Sequence, residues 1–127
     1  MRHMAAFGLL YICLVATGCM QGVPEPKASI GMTGQANLAQ VTTAIQEAGV
    51  ETAWQMTVVR PGLIEASREW GGGKHNMVVE VTYDAKTYNI KYKSSKNLGY
   101  DGQSIHRAYD THVKRLDAAI KSRTWKL

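Results

Sequence analysis

Between His75 and Lys93 the chain reads HNMVVEVTYDAKTYNIKYK, and apolar and polar positions alternate through most of it. Met77, Val79, Val81 and Tyr83 fall on one side of an extended chain, with Asn76, Val78, Glu80 and Thr82 on the other. Tyr88, Ile90 and Tyr92 then alternate with Thr87, Asn89, Lys91 and Lys93. A period of two in β-branched and aromatic residues predicts two half-buried strands. Asp84-Ala85-Lys86 is the polar turn between them. One register serves both arms: Tyr83 opposite Tyr88, Val81 opposite Ile90 and Val79 opposite Tyr92 face inward, while Glu80 opposite Lys91 faces outward. A slip of one residue would turn one arm's apolar set into water, so the register is strongly specified.

The remaining segments are read as cover for this hairpin. Leu38, Val41, Ile45 and Ala48 form a stripe at helical spacing, which predicts a helix over 36–48 with Asn37 as N-cap and Gly49 as the C′ residue. A strand is expected over 52–60, with Trp54, Met56 and Val58 inward. Arg60-Pro61-Gly62-Leu63 has the proline and glycine of a type II turn. A second strand over 63–70 follows, with Ile64 and Ala66 inward, and Gly71-Gly72-Gly73-Lys74 forms a loose loop into the hairpin. A second helix is predicted over 102–123, capped by Asp101, with Ile105, Tyr109, Val113, Leu116 and Ile120 buried. Asp110 with Lys114 and Asp117 with Lys121 are acid-to-base pairs in the favourable order on its outer face. Trp125 and Leu127 are expected to fold back on the sheet edge.

The predicted order is α-β-β-β-β-α. It describes an α+β fold, a two-layer sandwich in which two helices cover one face of a four-stranded antiparallel meander. The domain would span residues 36–127. The uncovered face would show Thr57, Glu65, Ser67, Val78, Glu80, Asn89, Lys91 and Lys93 to water. The first strand, over 52–60, would leave an edge able to pair with another chain. Residues 20–34, MQGVPEPKASIGMTG, have no apolar period and read as a tether with a reach on the order of 40 Å.

At the other extreme of the chain, Arg2 and His3 precede an apolar run from Met4 to Val15, which ends in Ala16-Thr17-Gly18-Cys19. A basic start, a short apolar stretch and small residues describe a secretory signal peptide cut after Gly18. The run is shorter than the ~20 apolar residues that span a bilayer. Leu14-Val15-Ala16-Thr17-Gly18-Cys19 resembles the lipobox of bacterial lipoproteins, with Ala16 where leucine is more usual. The resemblance covers residues 1–19. It implies that 1–18 are removed, that the Cys19 thiol carries a diacylglyceryl group, and that the new amino terminus is acylated, for example with palmitate. Residues 19–35 would then be a lipidated cysteine and its flexible tether. Met20 stands where aspartate retains enterobacterial lipoproteins in the inner membrane, which implies an outer-membrane location facing the periplasm. The competing reading is an ordinary secreted protein with a cysteine at its cleavage point. The remainder is loosely similar to small envelope lipoproteins of Gram-negative bacteria, a likeness that implies no activity.

This reading changes the meaning of the composition. The cysteines are Cys13 and Cys19. One would be lost with the signal peptide and the other consumed by lipid, so the folded part would offer no thiol nucleophile, thiolate metal site or disulfide. The formal net charge is +5, and removal of 1–18 takes away only Arg2. At a bacterial envelope the anionic partners are lipid headgroups, lipopolysaccharide phosphates and cell-wall carboxylates, and no nucleic-acid partner is expected. The competing view is that the charge only keeps the domain soluble.

Candidate chemistry is sparse. The glycine run at 71–73 lacks the spacing of a phosphate loop, and no serine sits in a nucleophile elbow. His106 and Asp110, one helical turn apart, are the candidate metal ligands, with His75 as a third if the fold brings it near; otherwise they are a surface pair. His112 reads as a half-buried packing residue. The candidate binding surface lies where the hairpin meets the second helix: Ser94, Ser95, Lys96, Asn97, Tyr100, His106 and Tyr109. Lys91, Lys93 and Lys96 add a preference for anionic surfaces. The expected function is that of a non-catalytic accessory or adaptor, held at the membrane by lipid on Cys19, without a cofactor and with an envelope protein as partner. The alternative is a small-ligand or metal-binding sensor using the Ser94–Asn97 loop and His106. A hydrolase has the least support.

Overall fold

The computed structural model describes residues 20–127. The expected signal peptide, residues 1–18, and Cys19 lie outside the described residues. The hairpin forms with the expected partners. Its arms are His75–Tyr83 and Thr87–Lys96, and they pair Tyr83 with Tyr88, Val81 with Ile90, Glu80 with Lys91 and Val79 with Tyr92. The turn is closed by Asp84, whose Oδ1 accepts from the backbone N–H groups of Lys86 at 2.7 Å and Thr87 at 2.8 Å. Those two donors hold the Asp84 carboxyl below its ordinary range.

The register shifts between Val78 and Val79, where Val78 pairs with Ser94 but Val79 with Tyr92. Lys93 is therefore the extra residue of a β-bulge, a feature the alternation does not announce. Its ammonium lies 2.6 Å from Glu65 and 3.6 Å from Glu80 on the outer face of the sheet.

In chain order the elements are β1 (Met20–Gly22), β2 (Lys27–Ser29), α1 (Leu38–Glu51), β3 (Gln55–Arg60), β4 (Leu63–Trp70), β5 (His75–Tyr83), β6 (Thr87–Lys96), β7 (Ser104–His106) and α2 (Arg107–Thr124). The α+β class is as predicted, but the element order is not. The main antiparallel sheet has five strands in the order β2-β6-β5-β4-β3, and β1 pairs with β7 in a separate two-stranded ribbon. The meander β3 to β6 is thus joined on its open side by β2, which pairs Lys27 with Asn89 and Ser29 with Thr87.

The span read as a tether supplies two of the three added strands, β1 and β2. Ile30 is buried, its N–H donates to the Lys86 carbonyl at 2.7 Å, and the Ile90 N–H donates to the Pro26 carbonyl at 2.9 Å. Three-residue strands are too short to show a period of two, so pattern alone misses them.

The buried side of the sheet and the helices share one core. Met77, Val79, Val81, Tyr83, Tyr88 and Ile90 of the hairpin meet Val41 and Ile45 of α1 and Val113, Leu116 and Ile120 of α2. The hydroxyls of two core tyrosines, Tyr83 and Tyr88, are satisfied at the helix surfaces. The Thr42 hydroxyl donates to the Leu38 carbonyl at 2.9 Å and so accepts from Tyr83 at 2.6 Å. Tyr88 donates to Asp117 Oδ1 at 2.5 Å. The two helices are also joined by Arg123, whose guanidinium reaches Glu47 and Glu51, each at 2.7 Å.

Both helices differ from expectation at one end. Asn37 caps α1 in a reciprocal box with Gln40, as its sequence suggests. The helix, however, runs through Gly49 to Glu51. Gly49 is there for close approach: a Cβ on it would run into the Met56 thioether. The end of the helix is covered instead by Arg68, whose Nη1 donates to the carbonyls of Thr52 at 2.5 Å and Ala53 at 3.1 Å. Val58, expected to be buried, is 41% exposed and borders an open apolar concavity with Leu38 and Thr42.

The second helix starts at Arg107, five residues later than predicted. Asp101 caps a turn, not a helix: its Oδ1 accepts from Gln103 N–H at 2.9 Å and Ser104 N–H at 2.7 Å. The next residues are then free to pair with β1, with Met20 opposite His106 and Gly22 opposite Ser104. Ile105 is still fully buried, but from a strand. At the far end Leu127 packs on the core, whereas Trp125, expected on the sheet edge, is exposed.

Candidate functional site

The connection from β6 to α2 is held by its backbone. Asn97 takes a positive φ of 58°, which its short polar side chain tolerates. Its Nδ2 donates to the Lys74 carbonyl at 2.5 Å, and its own carbonyl lies 3.2 Å from His75 Nδ1. Leu98 is buried and its carbonyl accepts from His106 N–H at 2.8 Å. The loop thereby ties the start of β5 to the start of α2.

Three tyrosines line the inner side of this junction. Tyr100 lies over Tyr92 with ring centres 4.1 Å apart, and Tyr92 meets Tyr109 edge-on at 5.7 Å. The Tyr92 hydroxyl is 2.8 Å from Ser95 Oγ. Tyr109 is fully buried and its hydroxyl has no partner among the described residues. Burial pushes its phenol up, and Tyr92, Glu25 and Tyr100 add to that shift. Tyr100 remains 43% exposed.

Ser95, Asn97, Tyr100, His106 and Tyr109 are thus gathered at one end of the domain, as the sequence suggests. Lys96, the last residue of β6, is at the same end beside Asn97, but it pairs with Asn76 and so starts from the outer face. Ser94, Lys91 and Lys93 do not join them. Their pairing partners Val78 and Glu80, and the Lys93 contacts with Glu65 and Glu80, put them on the outer face of the sheet. The candidate surface is therefore two surfaces, divided by the sheet itself.

The histidines are committed elsewhere. His106 is the N-cap of α2, with Nδ1 accepting from Ala108 N–H at 3.1 Å. Asp110 pairs with Lys114 at 2.8 Å. Since His106 precedes the helix, it does not share a helical turn with Asp110. His75 stacks on Trp70 at 5.3 Å, and the other ring neighbour of Trp70 is His112 at 4.9 Å. Among the described residues no group of three His, Cys, Asp or Glu side chains is placed to hold a metal.

Burial lowers the His112 pKa to about 4, helped by the charges of Arg68 and Arg115. The sign of the consequence follows from linkage. An unfolded histidine takes up its proton near pH 6.5, but the folded one resists until about pH 4. Stability is therefore fully present above pH 6.5, falls as the pH drops towards 4, and then levels. Allowing for solvent around this half-buried ring, the loss is on the order of 1–2 kcal/mol. Urea midpoints measured at pH 7.5, 5 and 4 should show it, and His112→Phe should flatten that part of the profile.

Four residues at this end carry no signal in the sequence: Met20, Lys74, Trp70 and Arg107. Each reaches it through pairing. Met20 lies opposite His106, Trp70 opposite His75, Lys74 receives Asn97, and Arg107 follows the cap. Only the register of β1 against β7 would have found the first and last.

A shallow concavity of about 790 Å³ lies at the opposite end, around the hairpin tip, lined by Lys27, Arg60, Thr82, Asp84 and Asn89 among others. Among the described residues Asn89 Oδ1 is buried there without a partner. None of the Ser94–Asn97 residues lines it. Among the described residues no helix is long and apolar enough to cross a membrane. Comparison with protein-family models, curated proteins and solved structures gives no match.

Proposed function

We propose that the protein is an envelope lipoprotein, anchored through lipid on Cys19, whose α+β domain acts as a non-catalytic accessory or adaptor at the outer membrane. The observation that carries this reading is the sequence Leu14-Val15-Ala16-Thr17-Gly18-Cys19 at the end of a short apolar run. Two layers, with helices over one sheet face, leave the other face available to a protein partner. That face carries Glu65, Glu80 and Lys93 in a charged cluster, with Lys91 beside it. The edge strand β3 adds a row of unpaired backbone groups with Val59 exposed.

A small-ligand sensor is the second reading. The unpartnered Asn89 oxygen in the concavity at the hairpin tip favours it. The Ser94–Asn97 loop offers it less, because Asn97 spends its amide and carbonyl on Lys74 and His75.

The test is crosslinked purification from envelopes, comparing the wild type with Cys19→Ser. The adaptor reading expects a discrete protein partner that is lost with the lipid anchor. Recovery of no partner, with the wild type still membrane-bound, would favour the ligand reading.

A further inference from the structure

We propose that the end of the domain carrying Met20, Lys74, Lys96, Tyr100 and Arg107 rests directly on anionic phospholipid headgroups. The inference rests on lipidation of Cys19, as put forward above. It replaces a domain held away from the membrane on a tether with one seated on the membrane in a single orientation.

The argument starts from covalent geometry. Consecutive Cα atoms are 3.8 Å apart, so the lipid-bearing residue is one such step from Met20. Met20 is not free to wander: it is the first residue of β1, paired opposite His106. Its side chain lies against Gly99, where an added Cβ would sit 3.2 Å from the Met20 methyl. The slack that a tether would supply is therefore absent. Whatever surface surrounds Met20 must lie at the level of the headgroups.

That surface suits such a position. Met20 and Tyr100 are large, apolar-bodied and exposed, at 42% and 43%. A tyrosine with its ring packed on one side and its hydroxyl free is the side chain that sits well at a membrane–water interface. Lys74, Lys96 and Arg107 are exposed around them, and none has an ion-pair partner among the described residues. The nearby Asp101 carboxylate is turned onto the N–H groups of Gln103 and Ser104. Each cation close to an anionic leaflet favours contact by about fivefold.

The orientation has a consequence for the other end. The ten residues of β6 span roughly 30 Å, which carries the turn at Asp84–Lys86 that far from the lipid. The concavity around Lys27, Arg60 and Asn89 then faces the aqueous space.

The chemistry of the chain makes a direct test available. Once Cys13 is removed and Cys19 is lipidated, any introduced cysteine is unique. Lys74→Cys and Tyr100→Cys report on the near end, and Ala85→Cys on the far end. The lipidated proteins, fluorescently labelled at these positions, are reconstituted into phosphatidylethanolamine–phosphatidylglycerol vesicles containing a headgroup-nitroxide lipid. Quenching at 74 and 100 is expected to exceed that at 85 by about threefold or more, given the separation of roughly 30 Å. Lys74 is exposed in the glycine loop, so its variant remains informative if Tyr100→Cys fails to fold. Combined Lys96→Glu and Arg107→Glu should lower near-end quenching in the anionic vesicles, while the short link from Cys19 to Met20 keeps it above that of position 85. Equal quenching at both ends, in protein that floats with the vesicles, would overturn the orientation while leaving the anchor intact. Quenching unchanged in pure phosphatidylcholine would overturn the preference for anionic lipid. Protein that does not float would instead refute the lipid anchor, and this proposal with it.

Discussion

A chain that begins at Gln35 is expected to be less stable than one that begins at Met20 by about 2–4 kcal/mol, mostly through Ile30. Ile30 is 4% exposed and belongs to the common core, with Val23 and Ala28 packed against it. Full burial of one such side chain contributes about 1.5–3 kcal/mol. Removing 20–34 also strips β2 from β6, which loses the Ile90 N–H to Pro26 bond and exposes a sheet edge. Entropy regained by the freed residues offsets part of this, which keeps the expected value below the sum of the contacts. Urea unfolding of two soluble versions, both lacking Cys19, measures the difference. Equal midpoints would mean that 20–34 is a tether after all, and the seating of Met20 against His106 would lose its support.

The second large effect concerns the hairpin. Ile90→Ala should cost about 2–5 kcal/mol, whereas Lys91→Ala, one residue on, should stay within about 0.5 kcal/mol of wild type. Ile90 is fully buried opposite Val81, and Lys91 is exposed opposite Glu80. The contrast tests register as well as packing. A slip of one residue would exchange the two environments, and the two costs would exchange with them. Denaturant midpoints for the two variants decide it, provided the slopes match that of the wild type.

The parts of this structure that could be read from the sequence are those with enough residues to show a period. Nine residues from His75 to Tyr83 and six from Thr87 to Tyr92 carry the alternation, and their partners follow from it, whereas the pairing of Ser94–Lys96 beyond the bulge does not. Asn37 and Gly62 are legible because a cap and a positive φ demand particular residues. Three residues, MQG or KAS, hold no such signal, and their pairing depends on which strand edge is left open after the core has formed. Gly49 shows a second way in which a local rule yields. A glycine after an apolar stripe normally ends a helix, but here the Met56 side chain occupies the space that a Cβ would need. Asp101 likewise satisfied the rule for a cap while capping something else.

The candidate site was half legible for the same reason. Asn97, Tyr100, His106 and Tyr109 stand close in sequence and close in space. Lys91, Lys93 and Ser94 are as close in sequence, yet a strand sends alternate residues to opposite faces and the bulge at Lys93 resets which ones. His106 illustrates a limit of spacing arguments. Its distance from Asp110 suits a shared helical face only if the helix already includes it, and the helix begins one residue later.

Mass spectrometry of the amino-terminal peptide, taken from protein purified out of membranes, tests the central claim most directly. The lipoprotein reading predicts a peptide that begins at Cys19, lacks residues 1–18 and carries the mass of a diacylglyceryl group together with an amide-linked acyl chain. An intact Gly18–Cys19 bond, or a Cys19 that is free of lipid, would contradict it.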